Sequence, residues 1–192
     1  MAPEADPTSL TPVFKSKTLE DARQRARQGR ALKSLFEPSA IAVIGASRRE
    51  GSVGHSVFKN LLMNGYTGTL FPVNPKQPSI MGVKCHQSVL EIAEPVDLAV
   101  VAIPAAGVGG VLDECARKGI HSLIVLSAGF KETGSQGALL EQALRRQAQE
   151  AGIALLGPNC LGMINTDQAL SMNARFARSM AHPGNISFIS QS

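Results

Sequence analysis

The sequence of 192 residues contains no tryptophan, one tyrosine and three cysteines, and aromatic residues make up only 4% of it. Cys85, Cys115 and Cys160 are odd in number and do not have the spacing of a metal site, which indicates a reducing cytoplasm. No apolar run approaches the roughly 18 residues of a membrane helix, and the N-terminus lacks the basic-then-apolar order of a secretory signal. These absences favour a globular cytoplasmic protein, for which a hydrophobic share of 44% is typical.

The basic residues are unevenly distributed, although the formal net charge is only +4. A cluster is formed by Arg23, Arg25, Arg27, Arg30 and Lys33. Because aromatics are scarce and no nucleic-acid motif is present, we interpret the cluster as a solvated helix or tail and expect no nucleic-acid partner. It overlaps an N-terminal extension, residues 1–31, which is predicted to be mobile over 1–17 and helical over 18–29.

From residue 32 onwards, short apolar segments alternate with segments of helical periodicity. Within 53–65, for example, Val57, Phe58, Leu61 and Leu62 are predicted to share one helical face. Strands are predicted at 41–45, 69–74, 97–104, 122–130 and 153–159. Strands that are apolar throughout and alternate with helices indicate a parallel sheet covered on both faces. With right-handed crossovers this is a Rossmann-like, doubly wound α/β domain, which we place at residues 32–183.

The last segment, GNISFISQS at 184–192, predicts one more strand. Because a helix should follow it, we expect this segment to be the first strand of a second domain and the chain to be part of a longer protein. An unpaired strand there would favour pairing with another chain, so homo-oligomerisation is left open.

The stretch between the first strand and the first core helix has the composition of a phosphate-binding loop. Gly45 allows a tight exit from the strand, and Gly51 and Gly54 are expected to let the backbone approach a ligand. Ser47 and Ser52 add hydroxyl donors, and Arg48 and Arg49 add positive charge for a phosphate. The free amides at the start of the 53–64 helix attract an anion. The loop therefore predicts a phosphate site at the carboxyl ends of the strands.

The ends of the strands narrow the choice of ligand. The glycine spacing is not that of the dinucleotide fingerprint, and the second strand ends in PVNPKQ, without the acid that would hold a ribose hydroxyl. Lys76 at that position favours a ligand with an extra phosphate, either NADP or coenzyme A (CoA). Pro104 ends the third strand with an apolar ledge for an adenine, and 126–130 offers small residues with open backbone. In GPNCLG, 157–162, a cysteine lies on a turn at the same edge.

Taken in order, LFEPSAIAVIGAS, GSVGHSVFKNL, FPVNPK, DLAVVAIPA, LSAGF and GPNCLGMIN resemble the CoA-binding domain of nucleoside-diphosphate-forming acyl-CoA synthetases. The resemblance covers about residues 32–192. The group includes ADP-forming acetate–CoA ligases, the α subunit of succinyl-CoA synthetase and synthetase-like protein lysine acetyltransferases. It implies that the second domain, which 184–192 would begin, is flavodoxin-like, as in succinyl-CoA synthetase.

The resemblance also implies a role for each matching position. The 45–54 loop would hold the CoA phosphates, the segment after the second strand the adenosine, and the third strand's end the adenine. The loop from Ser127 would border the pantetheine, and the turn at Cys160 would lie near the thiol, with the cysteine lining the site. The implied cofactor-binding residues are Gly45, Ala46, Ser47, Ser52, Val53, Gly54, Val73, Asn74, Pro75, Lys76, Ile103, Pro104, Ser127, Ala128, Gly129, Asn159 and Cys160.

In the family, a phosphorylated histidine on the second domain relays phosphate to a nucleotide site on an ATP-grasp domain. His55, His86, His121 and His182 do not lie in a matching motif, so we expect no catalytic residue and no metal site here. ATP, ADP and magnesium would act only through other domains or subunits. The leading hypothesis is the CoA-binding domain of an ADP-forming acid–CoA ligase. The alternatives are a CoA or acetyl-CoA sensor within a lysine acetyltransferase and an NADP-binding oxidoreductase domain. The acyl substrate is left open.

Overall fold

The computed structural model describes residues 12–177 and 179–190, with side chains from Asp21 onwards. The first eleven residues, which include most of the segment predicted to be mobile, lie outside the described residues. None of the described helices is long and apolar enough to cross a membrane.

Five parallel strands form the central sheet, as the apolar segments predict. They are β1 (Ala40–Ile44), β2 (Thr69–Val73), β5 (Leu98–Val101), β6 (Ser122–Val125) and β7 (Ala154–Leu156). Their order across the sheet is β2-β1-β5-β6-β7. The chain therefore runs from β1 outwards to β2 and then returns to the other side of β1, which makes the gap between β1 and β5 the topological switch point. The predicted Rossmann-like α/β fold is confirmed.

Helices cover both faces of the sheet, because alternate strand residues point to opposite sides. On one face, Ala42, Val101 and Leu123 pack with α3 (Val108–Lys118) and α4 (Ser135–Ala151). On the other face, the strands pack with α1 (Pro12–Phe36) and α2 (Val53–Met63). Phe58 and Leu61 of α2 are fully buried there, as their helical spacing predicts, whereas Leu62, predicted on the same face, is exposed.

The structure contains two short antiparallel hairpins that were not predicted from the sequence. One joins β3 (Ser79–Ile80) to β4 (Val83–Lys84), and the other joins β8 (Gly162–Asn165) to β9 (Met172–Arg175). The second hairpin packs on α2, where the Asn60 side chain donates a hydrogen bond of 2.7 Å to the Arg175 carbonyl. Hairpins this short carry little periodicity, so the sequence gives a weak signal for them.

The helix α1 is longer than the predicted 18–29 segment and extends to Phe36. It is attached to the sheet through buried Ala31 and Leu35, and the Ser122 hydroxyl donates a hydrogen bond of 2.5 Å to the Ala31 carbonyl. At the other end, residues 184–190 form no strand, and Ile186, Phe188 and Ile189 are about nine-tenths exposed. That this segment begins a second domain stays a prediction.

Candidate functional site

The carboxyl ends of the five strands lie on one edge of the sheet, which we call the rim together with the loops that follow them. Ile44 is in register with both Val73 and Val101, and Val101 with Val125. All the segments implied as binding positions follow these strands. Because the strands are parallel, the sheet brings the segments together at one edge.

The glycines of the 45–54 loop are needed for different structural reasons. Gly45 has a φ of +88°, and a Cβ there would lie 2.4 Å from the Ala102 carbonyl oxygen. At Gly54 a Cβ would lie only 1.9 Å from the Gly45 carbonyl oxygen. Gly54 therefore has a structural reason that the sequence did not reveal, because its missing side chain lets α2 pack on the end of β1. Gly51 has a φ of +77° and open space around it.

The start of α2 presents unused backbone donors to the rim. Ser52 is the N-cap residue, and its hydroxyl oxygen accepts a hydrogen bond of 3.3 Å from the His55 amide. Within the described residues, the N–H groups of Val53 and Gly54 have no acceptor. Two amides at the positive end of a helix dipole attract an anion such as a phosphate.

Two side chains keep the loop in place by contacts that the sequence did not predict. The Arg48 guanidinium donates hydrogen bonds of 2.8 Å to both the carbonyl and the hydroxyl oxygen of Ser79 on β3. The His55 ring nitrogen Nδ1 lies 3.1 Å from the Ser47 carbonyl oxygen. Arg48 therefore anchors the loop to the β3–β4 hairpin, which was itself not predicted. Arg49 is exposed.

Asn74 connects the first two loops of the rim. Its side-chain nitrogen Nδ2 donates to the Ala46 carbonyl at 2.8 Å, and its side-chain oxygen Oδ1 accepts from the Lys76 backbone amide at 2.8 Å. The second bond is an Asx-turn, which directs the chain back towards the rim. Asn74 is thus a positioning residue that fixes the two loops relative to each other, and the Lys76 side chain is exposed beside it.

The end of β5 lies against the first loop. Ile103 is partly buried and Pro104 is exposed, and a Cβ on Gly45 would come within 2.8 Å of the Ile103 side chain. This contact places the predicted apolar ledge next to the tight turn that ends β1.

Hydrogen bonds within the protein hold the loop after β6, whose backbone was expected to be open to a ligand. The Glu132 carboxylate accepts hydrogen bonds from the amides of Gly129, at 2.5 Å, and Phe130, at 3.1 Å. The hydrogen bond from Gly129 is the main reason why the pKa of Glu132 lies below its ordinary value. The Gly129 amide is therefore already used within the protein. Ser127 differs, because its buried hydroxyl has no partner among the described residues, and such a group is one that a ligand can satisfy.

The turn after β7 brings Asn159 and Cys160 to the same edge. The Asn159 amide donates to the Ser127 carbonyl at 3.0 Å, which ties this turn to the loop after β6. The Cys160 sulfur lies 3.5 Å from the Val125 carbonyl oxygen, and burial raises the pKa of its thiol. A thiol with a raised pKa is a poor nucleophile, which agrees with a lining role.

No group of three or more His, Cys, Asp or Glu side chains in the described part of the chain is arranged to hold a metal ion. Of the histidines, His55 lies in the first turn of α2, beside the 45–54 loop, whereas His121 precedes β6 at the opposite edge of the sheet. The free amides at the start of α2 and the Ser127 hydroxyl are groups that suit the recognition of anions and amides.

A doubly wound α/β domain with a phosphate loop at its switch point belongs to the broad class of nucleotide-binding domains. A model of the CoA binding domain family matches residues 39–166. The chain therefore belongs to the CoA binding domain family.

Relatives of known name are ligases. The chain is 48% identical over 161 residues to an ADP-forming acetate–CoA ligase of Archaeoglobus fulgidus, covering 84% of this chain and 23% of the relative. It is 42% identical over 166 residues to the α subunit of an ADP-forming acetate–CoA ligase of Pyrococcus furiosus, covering 84% and 36%. The chain thus spans about a quarter to a third of the length of these curated relatives.

A solved structure agrees in fold. The dinucleotide forming acetyl-coenzyme A synthetase 1 of Ca. Korarchaeum cryptofilum, in complex with phosphate and ADP, superposes with a TM-score of 0.70 at 39% identity. The superposition covers 77% of this chain and 31% of that one.

Proposed function

We propose that this chain is the CoA-binding part of an ADP-forming acyl-CoA synthetase and that it holds CoA along the rim. The observation that carries the proposal is the convergence of the strand ends in a member of the CoA binding domain family. Its named relatives are ADP-forming ligases, which favours this function over a sensor in a lysine acetyltransferase or an NADP-binding domain.

Each part of the rim has a matching part of CoA. The free amides of Val53 and Gly54 bind the phosphates, with the Ser47 and Ser52 hydroxyls beside them. Lys76 pairs with the 3′-phosphate. The hydrogen bonds of Asn74 fix the loop that carries Lys76 relative to the phosphate loop. The adenine packs on the ledge after β5. Such fixed contacts at the nucleotide end leave the thiol end free to reach an acyl donor.

The other end of CoA follows the loops after β6 and β7. The unpartnered Ser127 hydroxyl is positioned to hydrogen-bond an amide of the pantetheine arm. Cys160, with its raised pKa, lines the region of the thiol without attacking it.

In the whole protein, the reaction joins an acid and CoA at the expense of ATP, giving acyl-CoA, ADP and phosphate. The phosphate relay and the magnesium nucleotide site lie on other domains or subunits, which are the partners of this chain. Because these substrates occur in the cytoplasm and the described residues contain no membrane-spanning helix, we place the protein there.

The test is calorimetric titration of the folded chain with CoA and with dephospho-CoA, which lacks only the 3′-phosphate. Lys76→Ala is expected to weaken CoA binding about tenfold, since a charge-assisted phosphate contact is worth about 1.5–3 kcal/mol. Binding of dephospho-CoA is expected to change little. Lys59→Ala, at an exposed position on the outer side of α2, is the matched control.

An equal loss for both ligands would remove the 3′-phosphate role from Lys76. Saturable binding of NADPH without any binding of CoA would overturn the proposed function itself.

A further inference from the structure

The N-terminal helix α1 is not explained by CoA binding. It ends at Phe36, before residues 39–166, which match the family model. Yet α1 is firmly packed on the sheet, and it carries all five residues of the basic cluster of the sequence.

Arginines of α1 line a cavity at the edge of the sheet opposite the rim. The cavity has a volume of about 280 Å³ and is lined by Arg27, Arg30, His121, Ala151 and Gly152. His121 precedes β6 and Gly152 precedes β7, so both lie at the amino ends of the strands. We call this cavity the arginine cleft. It is separated from the rim by the length of the strands.

A larger groove adjoins the arginine cleft, because Arg27 and Gly152 line both. The groove has a volume of about 900 Å³ and runs between α1 and α4, which cover opposite faces of the sheet at the edge strand β7. Its walls are partly apolar, with Ala31, Leu32 and Leu155. Arg23 contributes further positive charge, whereas the charge of Arg145 is paired with Glu141. The volume lies in the range of small-molecule sites.

The charges of the arginine cleft are not used within the described structure. Neither the arginine cleft nor the adjoining groove is lined by an acidic side chain. The ion pairs among the described side chains join Arg145 to Glu141 and Arg146 to Glu150, so Arg27 and Arg30 have no carboxylate partner among them.

Capping of α4 does not require these arginines either. The Gly152 amide donates to the Gln149 carbonyl at 3.1 Å, and the Ile153 amide donates to the Ala148 carbonyl at 2.9 Å. These bonds satisfy the Ala148 and Gln149 carbonyls of the last turn without using either arginine. Two guanidinium groups and an imidazole therefore converge on a concave surface that has no anion of its own.

We propose that the arginine cleft binds the phosphate groups of a small phosphorylated ligand whose apolar part lies in the adjoining groove. The guanidinium fork matches phosphate oxygens in pairs, and His121 supplies a further donor. A nucleotide fits both the charge and the apolar wall. The site is distinct from the rim, so the chain binds two phosphorylated ligands at opposite edges of one sheet.

The test uses inorganic pyrophosphate and ADP as probes, titrated calorimetrically into the folded chain with CoA at saturation, so that the rim is blocked. Arg27→Gln combined with Arg30→Gln removes the two cleft charges. The matched control is Arg25→Gln combined with Lys33→Gln, which removes the same charge from the same helix, at exposed positions that line neither cavity. Titrations without CoA are run in parallel, so that the cleft is tested even where the rim fails to bind CoA.

We expect pyrophosphate to bind the unaltered chain and the control equally, and to bind the cleft variant at least about tenfold more weakly. Tighter binding of ADP than of pyrophosphate would support the role of the groove. Pyrophosphate should raise the unfolding temperature of the control but not of the cleft variant. Equal losses in both double variants, or no binding by the unaltered chain, would overturn the proposal. A parallel loss of CoA affinity in the cleft variant would contradict two separate sites.

Discussion

The close contact between Gly54 and Gly45 makes a sharp prediction for Gly54→Ala. A Cβ at position 54 would lie 1.9 Å from the Gly45 carbonyl oxygen and 3.3 Å from the Ala46 Cα. Side chains do not approach backbone oxygens closer than about 3.0 Å, so the loop and the helix must separate by about 1.1 Å. Both partners are backbone, so no rotamer change relieves the clash.

The magnitude follows from two opposing effects. Alanine is favoured over glycine within a helix by about 1 kcal/mol. Overpacking costs about 1–3 kcal/mol, and we take the upper end because the contact is with backbone. The net loss is roughly 2 kcal/mol, which for a domain of this size lowers the unfolding temperature by about 4–8 °C.

The same displacement moves the amides of Val53 and Gly54 away from the phosphates. Because a hydrogen bond to a charged group contributes about 1.5–3 kcal/mol, CoA affinity should fall about tenfold or more. Denaturant unfolding and calorimetry measure the two effects separately.

Gly110→Ala is the control for Gly54→Ala. Gly110 lies in α3, and a Cβ there meets nothing within 4 Å. That substitution should therefore stabilise the protein by roughly 0.5–1 kcal/mol and leave CoA binding unchanged. If Gly54→Ala behaved like Gly110→Ala in both assays, the assignment of Gly54 to helix–strand packing would be wrong.

Three further predictions concern the rim and the fold. Ser52→Ala removes the N-cap of α2 and should cost about 1 kcal/mol of stability in denaturant unfolding, whereas Ser52→Asp should retain most of it. Asn74→Ala breaks the bond to the Ala46 carbonyl and should weaken CoA and dephospho-CoA binding alike, since it loosens the whole loop; a loss confined to CoA would contradict this. Burial, followed by the nearby Asp97 charge, raises the pKa of Tyr66 above its ordinary value, so ultraviolet absorbance should show no phenolate in the native chain at a pH where the unfolded chain ionises. This contribution to stability is complete below a pH of about 10 and declines above it, because only the unfolded state then loses the proton.

The parts of the fold that depend on repeated patterns were predictable. The central strands β1, β5 and β6 are buried along their whole length, so their residues are apolar except for Ser122. The helix α2 shows its buried stripe through Val57, Phe58 and Leu61. Parallel pairing then brings the strand ends to one edge without further information. For this reason the sequence alone indicates which loops share the rim.

What the sequence did not reveal depends on single contacts between distant residues. From the sequence, Arg48 was expected to supply positive charge for a phosphate, but its side chain binds Ser79 on a hairpin of two-residue strands. The backbone at Gly129 was expected to be open to a ligand, but its amide donates a hydrogen bond to the Glu132 carboxylate. Neither pairing has a periodic signal, and each is decided by the fold that surrounds it. The position of a glycine or an arginine near a strand end therefore predicts which edge of the sheet the residue lies on. It does not predict which group the residue binds there.

The rim also explains why a binding domain of this kind is separable from catalysis. Its proposed anion site consists of backbone amides at the start of α2, and Ser52, Asn74 and Arg48 serve to hold loops in place. Backbone amides bind phosphates without taking or giving protons, and burial raises the pKa of the Cys160 thiol at the rim. Such a surface can fix the nucleotide end of CoA while the thiol remains unreacted. The acyl donor must therefore be brought to the thiol from outside the rim, which is why the proposed synthetase requires its other domains.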